Sequence, residues 1–203
     1  MNGVTIYMEG GGKGPHAQRA LRRGMDAFLR KLKDATRAKS LRWKLVCCGS
    51  RNKAFLAFRN AQKIEKDTVN VLLVDAEGLV NVSPIDHLRT QDGWTFSKEE
   101  QDFVHLMTQS METWIIADSE AMSNYYEEGF KANSLPKASD LETVTKAEID
   151  RALKLATKDT QKKHYHKIHH AGDLLALIDP SRVRQRCSYC ERLFTLIEET
   201  IVN

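Results

Sequence analysis

Glu9, Asp75 and Glu77 are the side chains whose type and setting point most directly to chemistry. Glu9 follows the apolar run at residues 4–8 and precedes Gly10-Gly11-Gly12; Asp75 and Glu77 follow the run at residues 69–74 and flank Ala76 before Gly78. A short β-branched run that ends at an acidic residue beside glycine reads as a strand opening into a loop. In open parallel sheets ligands bind beyond the carboxyl ends of the strands, so the three carboxylates converge if their strands are neighbours. Crowded carboxylates repel one another and raise each other's pKa unless a cation lies between them. A few hard oxygen ligands, with room left for water and phosphate, suit Mg²⁺ or Mn²⁺. Acidic residues also begin turns in many α/β proteins; two such strand ends, each beside glycine, favour the metal.

Groups that would meet a phosphate lie nearby in the pattern. Lys13 sits in the loop Gly10–Gly14, which is no Walker loop because Lys13 is followed by Gly14-Pro15 in place of Ser or Thr. That loop serves either phosphate contact or a tight turn. Arg51 and Lys53 follow the strand at residues 43–48. The run at residues 162–170, with Lys167 and His170, interleaves cations with rings, a composition suited to phosphate or single-strand contact as well as to a solvated loop. His105, Gln109 and Glu112 share a face if residues 105–112 form a helix, and Glu112 then offers a fourth carboxylate.

The elements that must position these groups alternate. Strands at residues 4–8, 43–48 and 69–74 are separated by amphipathic helices at 16–38 and 51–66, an order that specifies an α/β sheet with right-handed crossovers. Residues 79–97 read as a long loop, and Ser97 with Glu100 forms a capping box that opens a helix. Periodicity leaves 105–118 open between helix and strand, with 105–108 or 113–117 as the places where a strand fits. Helices follow at 119–129, 146–156, 171–177 and 181–201, with a connector at 133–145. The expected division is an α/β core at 1–130 and a C-terminal helical extension at 131–203.

Charge is unevenly spread. Residues 1–66 hold sixteen basic and four acidic side chains, whereas 67–150 hold five and seventeen, within a net charge of +4. A basic N-terminal half approaches phosphates, and an acidic middle holds cations or docks a basic partner. No apolar run nears the ~20 residues that cross a bilayer, which leaves a cytoplasmic address as the default expectation. Cys187 and Cys190 have zinc-like spacing but no further ligand pair beside them, so they read as helical core positions.

The acidic strand ends, Val-Thr-Ile-Tyr-Met-Glu9-Gly and Leu-Leu-Val-Asp75-Ala-Glu77, resemble the Toprim domain shared by topoisomerases, primases and OLD-family nucleases. More fully, the chain resembles a family of small bacterial proteins of unknown function placed among Toprim-like folds. The resemblance runs through EGGGKG, CGSRNKAF, LLVDAEG, QDGW, HLMTQSMETWIIAD and YHKIHHAGDLLALIDP. It implies a Toprim-like, Rossmannoid parallel sheet flanked by helices, with Glu9 as metal ligand or general acid/base and Asp75 and Glu77 as metal ligands. Glu77 departs from the usual D-x-D pair by one methylene. The function so implied is Mg²⁺- or Mn²⁺-dependent nuclease chemistry on nucleic acid, in bacterial anti-phage defence beside a partner ATPase, with self-association compatible. The alternative is a non-catalytic regulatory or nucleic-acid-binding subunit of an ATPase complex.

Overall fold

The computed structural model describes residues 1–12 and 14–202. Strands β1 (Gly3–Gly11), β2 (Arg42–Gly49), β3 (Thr68–Asp75) and β4 (Val104–Met107) form one parallel sheet in the order β2-β1-β3-β4. Helices α1 (Pro15–Phe28) and α2 (Arg30–Ala38) join β1 to β2, and α3 (Arg51–Ile64) joins β2 to β3. Then α4 (Pro84–Asp92) and a 3-10 turn at Lys98–Phe103 lead into β4. After β4 come α5 (Met111–Ile116), α6 (Ser119–Tyr126), α7 (Lys146–Thr157), α8 (Lys167–Leu177), α9 (Pro180–Arg186) and α10 (Ser188–Val202). The α/β class, with a parallel sheet between helices, is as expected.

The central strands β1 and β3 are buried on both faces, which is why they are largely apolar, whereas the edge strand β2 exposes Arg42 and Lys44. Alternation along each strand sorts the side chains. Val4, Ile6, Met8, Val71 and Leu73 pack with Met25, Phe28, Trp114, Leu174 and Phe194 on one face. Tyr7, Leu72 and Val74 pack with Phe58, Leu88 and Trp94 on the other. The C-terminal segment therefore shares a core with β1 and α1. Helices α1 and α8 meet backbone to backbone at Gly24 and Gly172: a Cβ on Gly24 would stand 2.0 Å from the Gly172 carbonyl oxygen.

From β1 the chain moves to β2 on one side, while β3 lies on the other side of β1. The loops leaving β1 and β3 thus diverge and open a crevice at the carboxyl ends of these two central strands.

Several elements differ from expectation for local reasons. Residues 79–97 are not one long loop, because Ser83 caps α4 by accepting from the Asp86 N–H at 3.2 Å, Pro84 fits the first turn and Gly93 ends the helix at φ 69°. The helix expected over 16–38 is divided at Leu29. The capping box of Ser97 and Glu100 opens a 3-10 turn, since the chain must straighten into β4 by Val104. Residues 105–112 are not one helix: His105 lies in β4 and Glu112 in the first turn of α5. Helix α8 starts at Lys167, four residues earlier than expected, and the last helix breaks at Cys187 into α9 and α10. Among the described residues no helix is long and apolar enough to cross a membrane.

Candidate metal centre

Glu9 and Asp75 emerge just past the last registered pair of β1 and β3, Met8 with Leu73. Pleat alternation sends them to opposite faces. Glu9 shares the parity of Tyr7 and meets the start of α3; Asp75 shares that of Leu73 and meets α5 and α8. One ligand oxygen each from Glu9, Asp75 and Glu77 can be chosen so that all lie within 4.8 Å of one another. The convergence expected from the two strand ends is therefore present.

Asp75 is 1% exposed. Its Oδ1 accepts from the Met111 N–H at 2.8 Å and its Oδ2 from Lys167 Nζ at 3.0 Å. Burial pushes its carboxyl above the usual range despite the Lys167 ammonium. Burial, then the Asp75 charge, also pushes Glu9 up to about 7 against the pull of Arg51 and Lys167. Glu77 takes a left-handed φ of 62°, with its N–H donating to the Gln109 carbonyl at 2.8 Å, and its side chain pairs with Lys146. Gln109 sets that lysine: its Oε1 accepts from the Lys146 N–H at 3.1 Å and its Nε2 donates to the Val144 carbonyl at 3.0 Å.

Arg51 is committed within the site. It makes a two-pronged pair with Asp92 at 2.8 and 2.7 Å, donates to Glu9 Oε2 at 3.2 Å and to the Asp75 carbonyl at 2.5 Å, and lies 5.3 Å from the Trp94 ring centre. Glu112 does approach the site, from the first turn of α5 and not from a face shared with His105. It accepts from Tyr165 Oη at 2.9 Å and pairs with Lys167 at 3.4 Å. Burial would raise the Glu112 carboxyl, but Lys167, its own backbone N–H and Tyr165 together hold it low. Burial would lower the Lys167 ammonium, whereas Asp75 and Glu112 raise it.

The other expected residues are placed apart. His105 is wholly buried, with Nε2 on the Asp102 carbonyl at 2.9 Å and Nδ1 facing Arg192 at 3.2 Å. His170 takes the Tyr126 hydroxyl at 2.9 Å and the His166 N–H at 3.2 Å on its Nδ1. Lys13 lies outside the described residues. Asp92 and Lys146 were not anticipated, because their partners are 41 and 69 residues away along the chain. Tyr165 lies in the expected ring-and-cation run at 162–170, but its bond to Glu112, 53 residues away, was not foreseen. Only the QDGW segment hinted at Asp92.

The donor set consists of carboxylate oxygens alone. Three carboxylates gathered at one point, of which Glu9 and Asp75 are desolvated and of raised pKa, fit a hard divalent cation such as Mg²⁺ or Mn²⁺. Softer metals favour sulfur and imidazole, which this cluster lacks.

Residues 8–198 match the family described as a domain of unknown function, DUF4276. The chain belongs to the DUF4276 family. The match spans both acidic strand ends, Arg51 and Lys167, so the DUF4276 region contains the whole cluster. A comparison with curated proteins gave no match. Among solved structures, the DUF4276 chain is similar to the C-terminal region of the Burkholderia pseudomallei OLD protein, with 12% identity, a TM-score of 0.47 and 98% of each chain covered.

Proposed function

We propose that this DUF4276 protein is a divalent-metal-dependent phosphodiesterase that acts on nucleic acid. The supporting observation is the gathering of Glu9, Asp75 and Glu77 oxygens within 4.8 Å at the crevice between β1 and β3. Mg²⁺ or Mn²⁺ bound there supplies Lewis-acid polarisation of a phosphoryl oxygen and a more acidic water.

The chain's own groups divide the remaining work. Asp75, fixed by the Met111 N–H, and Glu77, which offers an oxygen within 4.8 Å of the other two, would hold the cation. Glu9, with a carboxyl near neutrality, takes a ligand position or accepts a proton from the attacking water. Lys167 Nζ and the Arg51 guanidinium set positive charge beside the crevice, where the phosphate gains negative charge in the transition state.

The test is cleavage of end-labelled DNA and RNA with Mg²⁺ or Mn²⁺, comparing the wild type with Glu9→Ala and Asp75→Asn. Metal-dependent cleavage lost in both variants is expected. Equal activity in all three would remove the proposal. A protein that neither binds metal nor cleaves, yet co-purifies with an ATPase, would replace it with the regulatory-subunit reading.

A further inference from the structure

The exposed side of α1 and α2 carries Arg19, Arg22, Arg30, Lys33 and Arg37, with Asp26 completing a series at intervals of three or four residues. That spacing places them along one face. The face continues through the Leu29 division, because the Leu29 N–H bonds to the Met25 carbonyl at 2.9 Å and the Lys33 N–H to the Leu29 carbonyl at 3.0 Å. These side chains line one open groove of about 480 Å³. From Arg19 to Arg37 it runs about 27 Å at 1.5 Å per residue.

Six basic side chains line the groove against two acidic ones. Asp26 is occupied by Trp43 Nε1 at 3.0 Å and by Lys33 Nζ at 3.1 Å, and Arg23 pairs with Asp173 at 2.9 Å. Asp34 is the other carboxylate. Arg19, Arg22, Arg30 and Arg37 are exposed, and among the described residues no carboxylate forms an ion pair with them. Such a row of unpaired guanidinium groups is matched by a polyanion with regularly spaced charge. Its far end begins one turn inside α1, the helix that follows the loop leaving β1 behind Glu9.

We infer that the α1–α2 groove is the docking surface for the phosphate backbone of a nucleic-acid duplex, leading it toward the β1–β3 crevice. The inference deepens the phosphodiesterase reading and rests on it for the destination. A duplex fits better than a single strand. The groove has no exposed aromatic side chain on which unpaired bases would stack, and its span is most of one duplex turn of about 34 Å. Phosphate contacts of this kind set position and carry no sequence information.

The experiment measures fluorescence anisotropy of a labelled duplex of about two helical turns, in EDTA so that neither metal nor cleavage is required. Wild type is compared with a variant carrying Arg19→Gln, Arg22→Gln, Arg30→Gln and Arg37→Gln. The charge-matched control carries Lys137→Gln, Arg151→Gln, Lys154→Gln and Lys158→Gln on another exposed surface. The groove variant should bind about tenfold or more weakly, and its log–log salt slope should fall by about 3–4, near 0.9 for each lost contact. The control should stay within about twofold of wild type. If the quadruple variant melts early, the pair Arg22→Gln with Arg30→Gln should still lower the slope by about 2.

No duplex binding by wild type, or equal weakening in the control, overturns the inference. So does tighter binding of the single strand through the same arginines. Groove-dependent binding without metal-dependent cleavage would sustain the groove while removing the phosphodiesterase reading.

Discussion

Lys167 Nζ lies 3.0 Å from Asp75 Oδ2, joining residues 92 positions apart across α8 and the end of β3. The same ammonium lies 3.4 Å from Glu112 Oε2, so one cation serves two buried carboxylates where a divalent ion would also draw them. Lysine and metal then compete for Asp75. Replacing Lys167 with methionine keeps an unbranched stem one atom shorter and removes the competitor. Isothermal titration should show Mg²⁺ bound at least as tightly as by wild type, while cleavage falls by about 100-fold for want of charge beside the phosphate. Unchanged affinity together with unchanged cleavage would mark the lysine as a surface ion-pair partner only.

Divalent metal should stabilise the fold. Asp75→Asn is preferable to Asp75→Ala, because the amide oxygen still accepts from the Met111 N–H. At 100 times its dissociation constant, Mg²⁺ adds about 2.7 kcal/mol to the wild type. Thermal melting should therefore rise with Mg²⁺ in the wild type and stay flat in Asp75→Asn and Glu9→Ala. A parallel rise in all three would place the bound metal elsewhere.

Asp92 positions Arg51. The two-pronged pair is mostly buried, with both partners under a fifth exposed, and the guanidinium carries that order to Glu9 and to the end of β3. Asp92→Ala leaves a desolvated guanidinium with half its bonds and should cost about 3 kcal/mol. Asp92→Asn keeps one oxygen acceptor and should recover part of that loss in urea midpoints. For a merely structural clasp, stability would fall while metal affinity stayed at the wild-type value; a positioning role requires both to change.

His105 gives a pH dependence with a definite sign. Burial, then the Arg192 charge, lowers its pKa from 6.5 to about 3. The neutral ring satisfies both contacts, with Nε2–H donating to the Asp102 carbonyl and Nδ1 accepting from Arg192, whereas a second ring proton would face the guanidinium. Between pH 6.5 and about 3 the unfolded chain binds the proton and the folded chain does not. Stability from this group is thus complete above 6.5 and declines as pH falls through that window. His105→Gln, which can donate and accept in the same places, should show a shallower loss of urea stability from pH 7 to 5. An identical slope would assign the acid sensitivity to other groups.

Gly24→Ala tests the crossing that brings α8 over the site. With the new methyl 2.0 Å from the Gly172 carbonyl oxygen, the helices must separate. The expected cost is about 1–3 kcal/mol, and Lys167 moves with its helix. Gly78→Ala is the control, since nothing stands within 4 Å of its added Cβ. Equal melting temperatures for the two variants would contradict this packing.

Much of the site was legible because it rests on local signals. Glu9 and Asp75 end apolar strands, and strand ends in a parallel sheet have a fixed meaning. Glu112 reached the site by a different route from the one expected. Its spacing from His105 fits a helix, but the pull of β3 on residues 104–107 as a sheet partner overrides that local pattern, and Gln109 turns to hold the start of α7. The run at 162–170 read as loop or phosphate contact, yet Lys167 is the first residue of a helix and His170 faces Tyr126. Arg51 stood in the expected place with unexpected partners.

The sequence by itself determined the alternation of strands and helices, the two acidic strand ends and the basic spacing of α1 and α2. Each of these is written in periods of two or three to four residues, or in an abrupt stop at glycine. Only the tertiary structure decided that β1 and β3 are neighbours, that Glu9 and Asp75 leave on opposite faces, and that Arg51, Lys146 and Lys167 meet the carboxylates. Those contacts span 42 to 92 residues of chain, and packing of whole elements, such as α8 against α1 at two glycines, sets them. Local periodicity fixes which residues of one element share a face; how strands register with one another and what waits opposite depend on where distant elements pack.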